Sequence, residues 1–271
     1  MTDDNGLDVK VADLETVLRS LGRVVVAFSG GADSAFLAAV AHRTLGAGRS
    51  LAVTAVSPSL ATTEREDCAT LAAEWGLRWQ PVDTDEMSRA AYRVNDTDRC
   101  YHCKAELMDV VAPIAAAEQA TIVLGVNTDD LHDHRPGQRA ATEAGAEFPL
   151  VTAGFTKADV RAASHAMGLR TWDKPAAACL ASRLPTGTPV SVALLGTVDR
   201  AEAVLASLGF RGVRVRHHGD TARIEVGVDD LTRAVWHRTD IVTGLHALGY
   251  RYVVLDLEGF RSGSLNPIRD E

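Results

Sequence analysis

Residues 24–34 read Val-Val-Val-Ala-Phe-Ser-Gly-Gly-Ala-Asp-Ser, and the helix-forming run Ala35-Phe36-Leu37-Ala38-Ala39-Val40 follows at once. An apolar stretch, a turn with paired glycines and a helical stretch leave few options: a strand, a phosphate-type loop and a helix, in that order. Gly30 and Gly31 carry no Cβ to block tight backbone curvature, so successive N–H groups and the positive end of the next helix can converge on a pyrophosphate. The hydroxyls of Ser29 and Ser34 add donors. No Gly-Lys-Ser/Thr follows, as it does in loops that grip the β- and γ-phosphates for γ-phosphoryl transfer. The pattern implies ATP cut between its α- and β-phosphates, with AMP passed to a substrate oxygen to create a good leaving group.

Around this loop the strand and helix patterns alternate. Strands are predicted near 24–28, 51–56, 79–83 and 121–125, and helices over 8–20, 33–46, 62–75 and 102–118, an α/β class with a doubly wound parallel sheet. Ligands of such sheets sit beyond the carboxyl ends of the strands. Ser29 to Ser34, Ser57-Pro58 and Gly125-Val126-Asn127 all fall there, which brings three segments to one crevice. A further helix over 156–167 opens on Thr156-Lys157-Ala158-Asp159, a capping box with Asp in place of Glu or Gln. Pro175, Pro185, Gly187 and Pro189 then interrupt regular structure and set a boundary near residue 187. The expectation is an ATP-binding and adenylation domain over 1–186. A small α+β domain over 187–271 would follow, with helix 191–208, strands 212–217 and 221–226, helix 229–248 and strand 251–257.

A formal charge of −8 argues against a nucleic-acid partner, whose backbone demands a basic surface. No apolar tract is long enough to span a bilayer, and Met1 to Lys10 is polar and acidic, unlike a secretory leader; a cytoplasmic protein is expected. The chain has four lysines, and Lys104, Lys157 and Lys174 all fall inside the motifs singled out here.

Arg99-Cys100-Tyr101-His102-Cys103-Lys104 sets two thiols three residues apart at a helix start, where backbone N–H groups, Arg99 and Lys104 favour thiolates. That spacing fits a metal, and Cys179, in the interdomain loop, could supply a third thiolate. Three protein ligands would leave one iron of a four-iron cluster open to an exogenous sulfide. A redox dithiol, a zinc site completed by His102 and a plain buried Cys-x-x-Cys remain alternatives. Cys68 reads as a small core residue. Arg183, Arg214 and Arg216 are candidates for gripping an anionic substrate. Glu202 and Glu225 lie on neighbouring elements, where they would face those arginines or a divalent ion; a cross-strand salt bridge is the simpler reading. Asp33 and Asp129 are candidate carboxylates for Mg²⁺ carried by ATP phosphates. The cluster Asp129, Asp130, His132, Asp133 and His134 reads as a polar loop rather than a metal site.

Taken together, Ser29 to Ser34, Asp98-Arg-Cys-Tyr-His-Cys-Lys104, Gly125-Val-Asn-Thr-Asp-Asp130, Arg135-Pro-Gly137 and Trp172-Asp-Lys-Pro-Ala-Ala-Ala-Cys-Leu-Ala-Ser-Arg183 resemble the LarE family, ATP-dependent sulfur transferases of nickel-pincer cofactor synthesis built on the PP-loop ATPase fold. The similarity runs on through Arg214-Val-Arg216, Ala222 to Val226 and Leu255 to Ser264. The resemblance implies adenylation of the carboxylates of pyridinium-3,5-biscarboxylic acid mononucleotide and sulfur attack that leaves thiocarboxylates. Ser29, Gly30, Gly31, Asp33 and Ser34 would then bind ATP phosphates, Ser57 and Gly125 would flank the adenosine, and Lys104 would approach the nucleotide. Arg183, Glu202, Arg214, Arg216 and Glu225 would serve the pyridinium substrate or its metal. Where family members carry one cysteine at the position of Cys179, it gives up its sulfur and becomes dehydroalanine. Cys100 and Cys103 ally this chain with the branch whose three cysteines hold a rechargeable [4Fe-4S] cluster. A homo-oligomer is implied as well, with the domain over 187–271 binding substrate and mediating oligomerisation. The competing readings are a PP-loop tRNA thiolase, an amidating synthetase and a non-enzymatic iron–sulfur and nucleotide sensor.

Overall fold

The computed structural model describes residues 4–132, 136–175 and 178–261. Its helices are α1 (Asp4–Leu21), α2 (Ala32–Leu45), α3 (Thr62–Trp75), α4 (Ala90–Val94), α5 (Arg99–Glu118), α6 (Pro136–Glu143), α7 (Pro149–Thr152), α8 (Lys157–Ala166), α9 (Val192–Ser207), α10 (Leu231–Trp236) and α11 (Arg238–Ala247). Its strands are β1 (Val24–Ala27), β2 (Ser50–Val56), β3 (Trp79–Asp83), β4 (Thr121–Leu124), β5 (Arg214–His218), β6 (Thr221–Glu225) and β7 (Tyr252–Leu255). They fall into two compact units, Met1–Ser57 with Thr62–Arg89 and Asp98–Ala177, and Pro58–Ala61 with Ala90–Thr97 and Ala178–Glu271.

The first unit holds a parallel sheet in the order β3-β2-β1-β4. Side chains alternate along a strand, so Val24 and Val26 of β1 pack with Phe36 and Leu37 of α2, Leu71 of α3 and Phe155. Val25 packs on the opposite face with Leu51, Val53 and the α5 residues Met108 and Val111. A strand covered on both faces has to be apolar throughout, which is why β1 begins with three valines. From β1 the chain moves outward to β2 and β3, then returns to the other side of β1 as β4. The carboxyl ends of β1 and β4 therefore flank the point where the winding reverses, the place where this architecture leaves room for a ligand. The expected parallel α/β sheet is present.

Helix α8 begins with the expected capping box. Thr156 Oγ1 accepts from the Asp159 backbone N–H at 3.2 Å, and Asp159 Oδ2 accepts from Thr156 N at 2.8 Å and from Lys10 Nζ at 2.6 Å. Burial pushes the Asp159 pKa up, but the Lys10 and Thr156 hydrogen bonds outweigh it and hold the carboxyl below its ordinary value. A carboxyl depressed in the folded state stabilises above its unfolded pKa of about 4, and that stability is lost as pH falls through the folded value. Asp159→Asn is expected to lower the melting temperature at pH 7 by about 2–4 °C, as for the loss of about 1 kcal/mol of capping. Melts repeated at about pH 3, below the unfolded carboxyl pKa, should show the difference shrinking.

In the second unit β5 and β6 are antiparallel and β6 and β7 parallel. Val215, Ala222 and Ile224 pack against Leu205 of α9 and Leu245 of α11. The final passage between units comes at 177/178 rather than near 187, and two earlier segments go with this unit. Hydrogen bonds within the second unit explain both facts. The buried Asn95 amide donates to the carbonyls of Pro185 and Thr188, each at 2.9 Å, Gly187 N donates to Asn95 O at 2.9 Å, and Leu180 N donates to Ser59 O at 2.8 Å. The helix expected over 229–248 is divided: His237, with φ −85° and ψ 12°, separates α10 from α11.

Candidate active site

In the first unit the phosphate-type loop is anchored before it starts. Trp79 Nε1 donates to Thr54 Oγ1 at 2.9 Å, and the buried Thr54 hydroxyl donates to the carbonyl of Phe28, the residue before Ser29, at 2.7 Å. Gly30 then takes φ +70°, and a Cβ placed there would meet Cys68 Sγ at 2.9 Å. Glycine is required on both counts. Ser34 Oγ accepts from Ser29 N at 3.2 Å, donates to Gly31 O at 3.1 Å and lies 3.0 Å from Ser29 Oγ. The Ser34 hydroxyl is thus engaged in closing the loop on itself. Gly31 is the N-cap of α2 and has no capping side chain, which leaves the helix end to an anion. The Cys68 thiol, fully buried behind the loop, is pushed up to about 11 by burial, consistent with a core residue.

Gly125, just after β4, lies against the first turn of α2: a Cβ there would stand 2.7 Å from Ser34 N and 2.8 Å from Asp33 C. Two residues on, Asn127 Nδ2 donates to Asp33 Oδ1 at 3.1 Å, while Asn127 Oδ1 accepts from the backbone N–H groups of Asp129 and Asp130 at 3.1 and 3.2 Å. Burial raises the Asp33 pKa, with Asp130 adding to the effect against the Asn127 bond. Asp129 Oδ2 accepts from Lys157 N at 2.8 Å, a cap on the start of α8. Among the described residues no three His, Cys, Asp or Glu side chains are grouped to hold a metal ion. Asp133, His134 and Arg135 lie outside the described residues. Ser57, at the end of β2, gives its hydroxyl to the buried Glu86 at 2.5 Å.

Cys100 is exposed and Cys103 half-buried in the first turn of α5, and neither is in a disulfide. Lys104 follows, its pKa lowered by burial against the opposing influence of Cys103 and Cys100. Gly137 lets α6 press on this turn, since a Cβ there would meet Cys100 O at 3.2 Å. Tyr101 donates to Glu143 at 2.6 Å and Arg139 stacks on its ring at 4.7 Å, which fixes α6 to α5. His102 Nε2 lies 3.2 Å from Asp98 Oδ2.

In the second unit Cys179 is half-buried and starts a short 3-10 turn, Leu180–Arg183, with no capping bond from its side chain. Arg183 grips the segment. Its Nη1 donates to the carbonyls of Ala178 at 2.5 Å and Cys179 at 3.0 Å, and its Nε and Nη2 form a forked pair with Glu202 at 2.9 and 3.0 Å. Glu202 Oε1 also accepts from Val215 N of β5 at 3.0 Å. Arg216 donates to Ser182 O at 3.0 Å and to Glu225 at 2.7 Å, and Arg223 reaches the other Glu225 oxygen at 2.9 Å. Glu225 is wholly buried, so this charge has to be paired. Arg214 donates to Val213 O and stacks on Phe260 at 5.0 Å. The cross-strand salt bridge weighed from the sequence is present, and it belongs to a network that ends on the backbone of Cys179.

Some residues of the loop's surroundings escaped sequence reasoning. Thr54 and Glu86 carry no motif. Lys174 donates to Gly30 O at 3.1 Å, 144 positions away; the signal for it was a lysine inside a motif of a chain with only four.

The family model described as NAD synthase matches residues 10–111, a span that holds the phosphate loop, α2, β2, α3 and the start of α5. An uncharacterized protein of Synechocystis is 42% identical over 97% of this chain and 98% of its own. Pyridinium-3,5-bisthiocarboxylic acid mononucleotide synthase of Lactiplantibacillus plantarum is 39% identical over 96% of this chain and 95% of its own. An uncharacterized protein of Methanocaldococcus jannaschii is 24% identical over 89% of this chain and 91% of its own.

Proposed function

The chain belongs to the LarE family of ATP-dependent sulfur transferases, and on that premise we propose that it adenylates the carboxylates of pyridinium-3,5-biscarboxylic acid mononucleotide and converts them to thiocarboxylates. The observation that carries this reading is the 39% identity to the Lactiplantibacillus synthase over 96% of the chain, which takes in the nucleotide loop and the Cys179 network alike. A substrate carboxylate oxygen attacks the α-phosphorus of ATP and pyrophosphate leaves. Sulfur then attacks the carbonyl carbon of the acyl-adenylate and AMP leaves, so that carbon has exchanged an oxygen for a sulfur. Ser29, Gly30, Gly31, Asp33 and Ser34 hold the phosphates, with Mg²⁺ carried on them. Ser57 and Gly125 flank the adenosine and Lys104 supplies a cation. Arg183, Glu202, Arg214, Arg216 and Glu225 shape the substrate side, and Arg183 also orients the Cys179 backbone.

Cys100, Cys103 and Cys179 are the residues that would hold a [4Fe-4S] cluster. Each is a thiol outside any disulfide at a partly or fully exposed position, and Cys100 and Cys103 share one helical turn, donors of the type iron takes, although among the described residues no three such side chains are grouped. Bound there, the cluster would supply sulfide on an open iron. The protein itself would be a cytoplasmic homo-oligomer: no described helix is long and apolar enough to cross a membrane, and Trp236, Val235 and Tyr252 stand exposed on the second unit.

Anaerobic purification followed by iron and sulfide analysis, with the mass of the Cys179 peptide tracked through turnover, tests the sulfur source. About four irons per chain and an unchanged peptide mass are expected for the cluster route. No iron, with a peptide lighter by about 34 Da for lost H₂S, would assign the sulfur to Cys179 itself.

A further inference from the structure

Between Gly30 and Gly31 the phosphate loop has a peptide that nothing local fixes. A glycine at φ +70° has no Cβ penalty to stop the adjoining peptide from flipping. In a trans peptide the C=O of one residue and the N–H of the next point in opposite directions. Whatever holds the Gly30 carbonyl therefore aims the Gly31 N–H to the other side.

Lys174 holds that carbonyl, with Nζ 3.1 Å from Gly30 O. The ammonium is itself fixed by two carboxylates of α3, Glu64 and Asp67, each at 2.7 Å, and its side chain is only 17% exposed. Asp67 is braced by Arg170 at 2.6 Å, which also reaches Glu74 at 2.8 Å. Burial alone would lower the Lys174 pKa, but Asp67 and Glu64 outweigh it and raise it, so the donor stays charged. The loop is thereby tied at two carbonyls, Phe28 by Thr54 and Gly30 by Lys174.

We propose that Lys174 is a positioning residue of the nucleotide site: by donating to Gly30 O it fixes the Gly30–Gly31 peptide with the Gly31 N–H turned toward the nucleotide phosphates. The proposal rests on nucleotide binding at Ser29–Ser34 and on neither the pyridinium substrate nor the cluster, so it can fail or stand without them.

Lys174→Met removes the donor and keeps most of the stem. On the full chain, calorimetric affinity for ATP should fall about tenfold, the scale of one charge-assisted hydrogen bond, while affinity for adenosine, which has no phosphate, stays within about twofold. Equal losses for both ligands, or none, would overturn the proposal. Loss of a positive charge near phosphates also weakens ATP, so the decisive variant is Glu64→Gln/Asp67→Asn. It leaves Lys174 in place, removes two negative charges and frees the ammonium from its anchors. Electrostatics alone predicts tighter ATP binding in that variant. Positioning predicts weaker ATP binding with adenosine unchanged, and an unchanged or tighter ATP affinity refutes it. This double variant also serves if Lys174→Met does not fold.

Discussion

Cys179→Ala is expected to end thiocarboxylate formation, a fall of about a thousandfold or more as for the loss of an essential reacting group, while ATP still binds. The substitution removes one sulfur atom from a half-buried position whose side chain caps nothing. What shapes the segment is untouched, because Arg183 holds the carbonyls of Ala178 and Cys179 rather than the thiol. The nucleotide loop belongs to the other unit. Thiocarboxylate by mass spectrometry and ATP affinity by calorimetry separate the two functions. Sulfur transfer at the wild-type rate would remove Cys179 from the mechanism, and parallel loss of ATP binding would mean that the variant is misfolded.

The second large effect belongs to Gly125→Ala. The added methyl would meet backbone atoms of Asp33 and Ser34 at 2.7–2.8 Å, and backbone in a first helical turn cannot step aside as a flexible side chain can. Either β4 and α2 separate or the loop distorts. Overpacking of this kind costs about 1–3 kcal/mol, and a loop displaced by a fraction of an ångström loses alignment, for which about a hundredfold drop in pyrophosphate release is expected. Gly48→Ala is the matched control: its Cβ meets nothing within 4 Å, so its rate should equal wild type. Equal rates in both variants would show that the close approach has no role in nucleotide handling.

The parts of the molecule legible in the sequence are those written in local periodicity. Three consecutive valines forecast a strand, and Thr156 with Asp159, three positions apart, forecast a capped helix. Gly30 and Gly31 forecast a loop, although not that Ser34 would turn its hydroxyl inward to close it. The division at His237 was invisible because an amphipathic pattern continues across a residue whose ψ has shifted by a few tens of degrees. The partners of Asn95 and Lys174 were illegible for a different reason. They lie 90 or more positions away, and a single buried amide or ammonium leaves no repeat to detect. The arginine pattern was ambiguous for a chemical reason, since a guanidinium that grips a carboxylate ligand and one that pairs with Glu202 or Glu225 are spelled alike.

The division of the chain also governs how it can be made. The backbone passes from one unit to the other at 57/58, 61/62, 89/90, 97/98 and 177/178, so neither unit is a continuous stretch and no single proteolytic cut releases either one whole. During synthesis Ser59 must wait for Leu180, and Asn95 for Pro185 and Thr188, before their hydrogen bonds can form. Folding from the amino terminus, common in larger chains, can complete the first unit once residue 177 has been made, but the early segments 58–61 and 90–97 wait for their partners until the stretch beyond 178 follows.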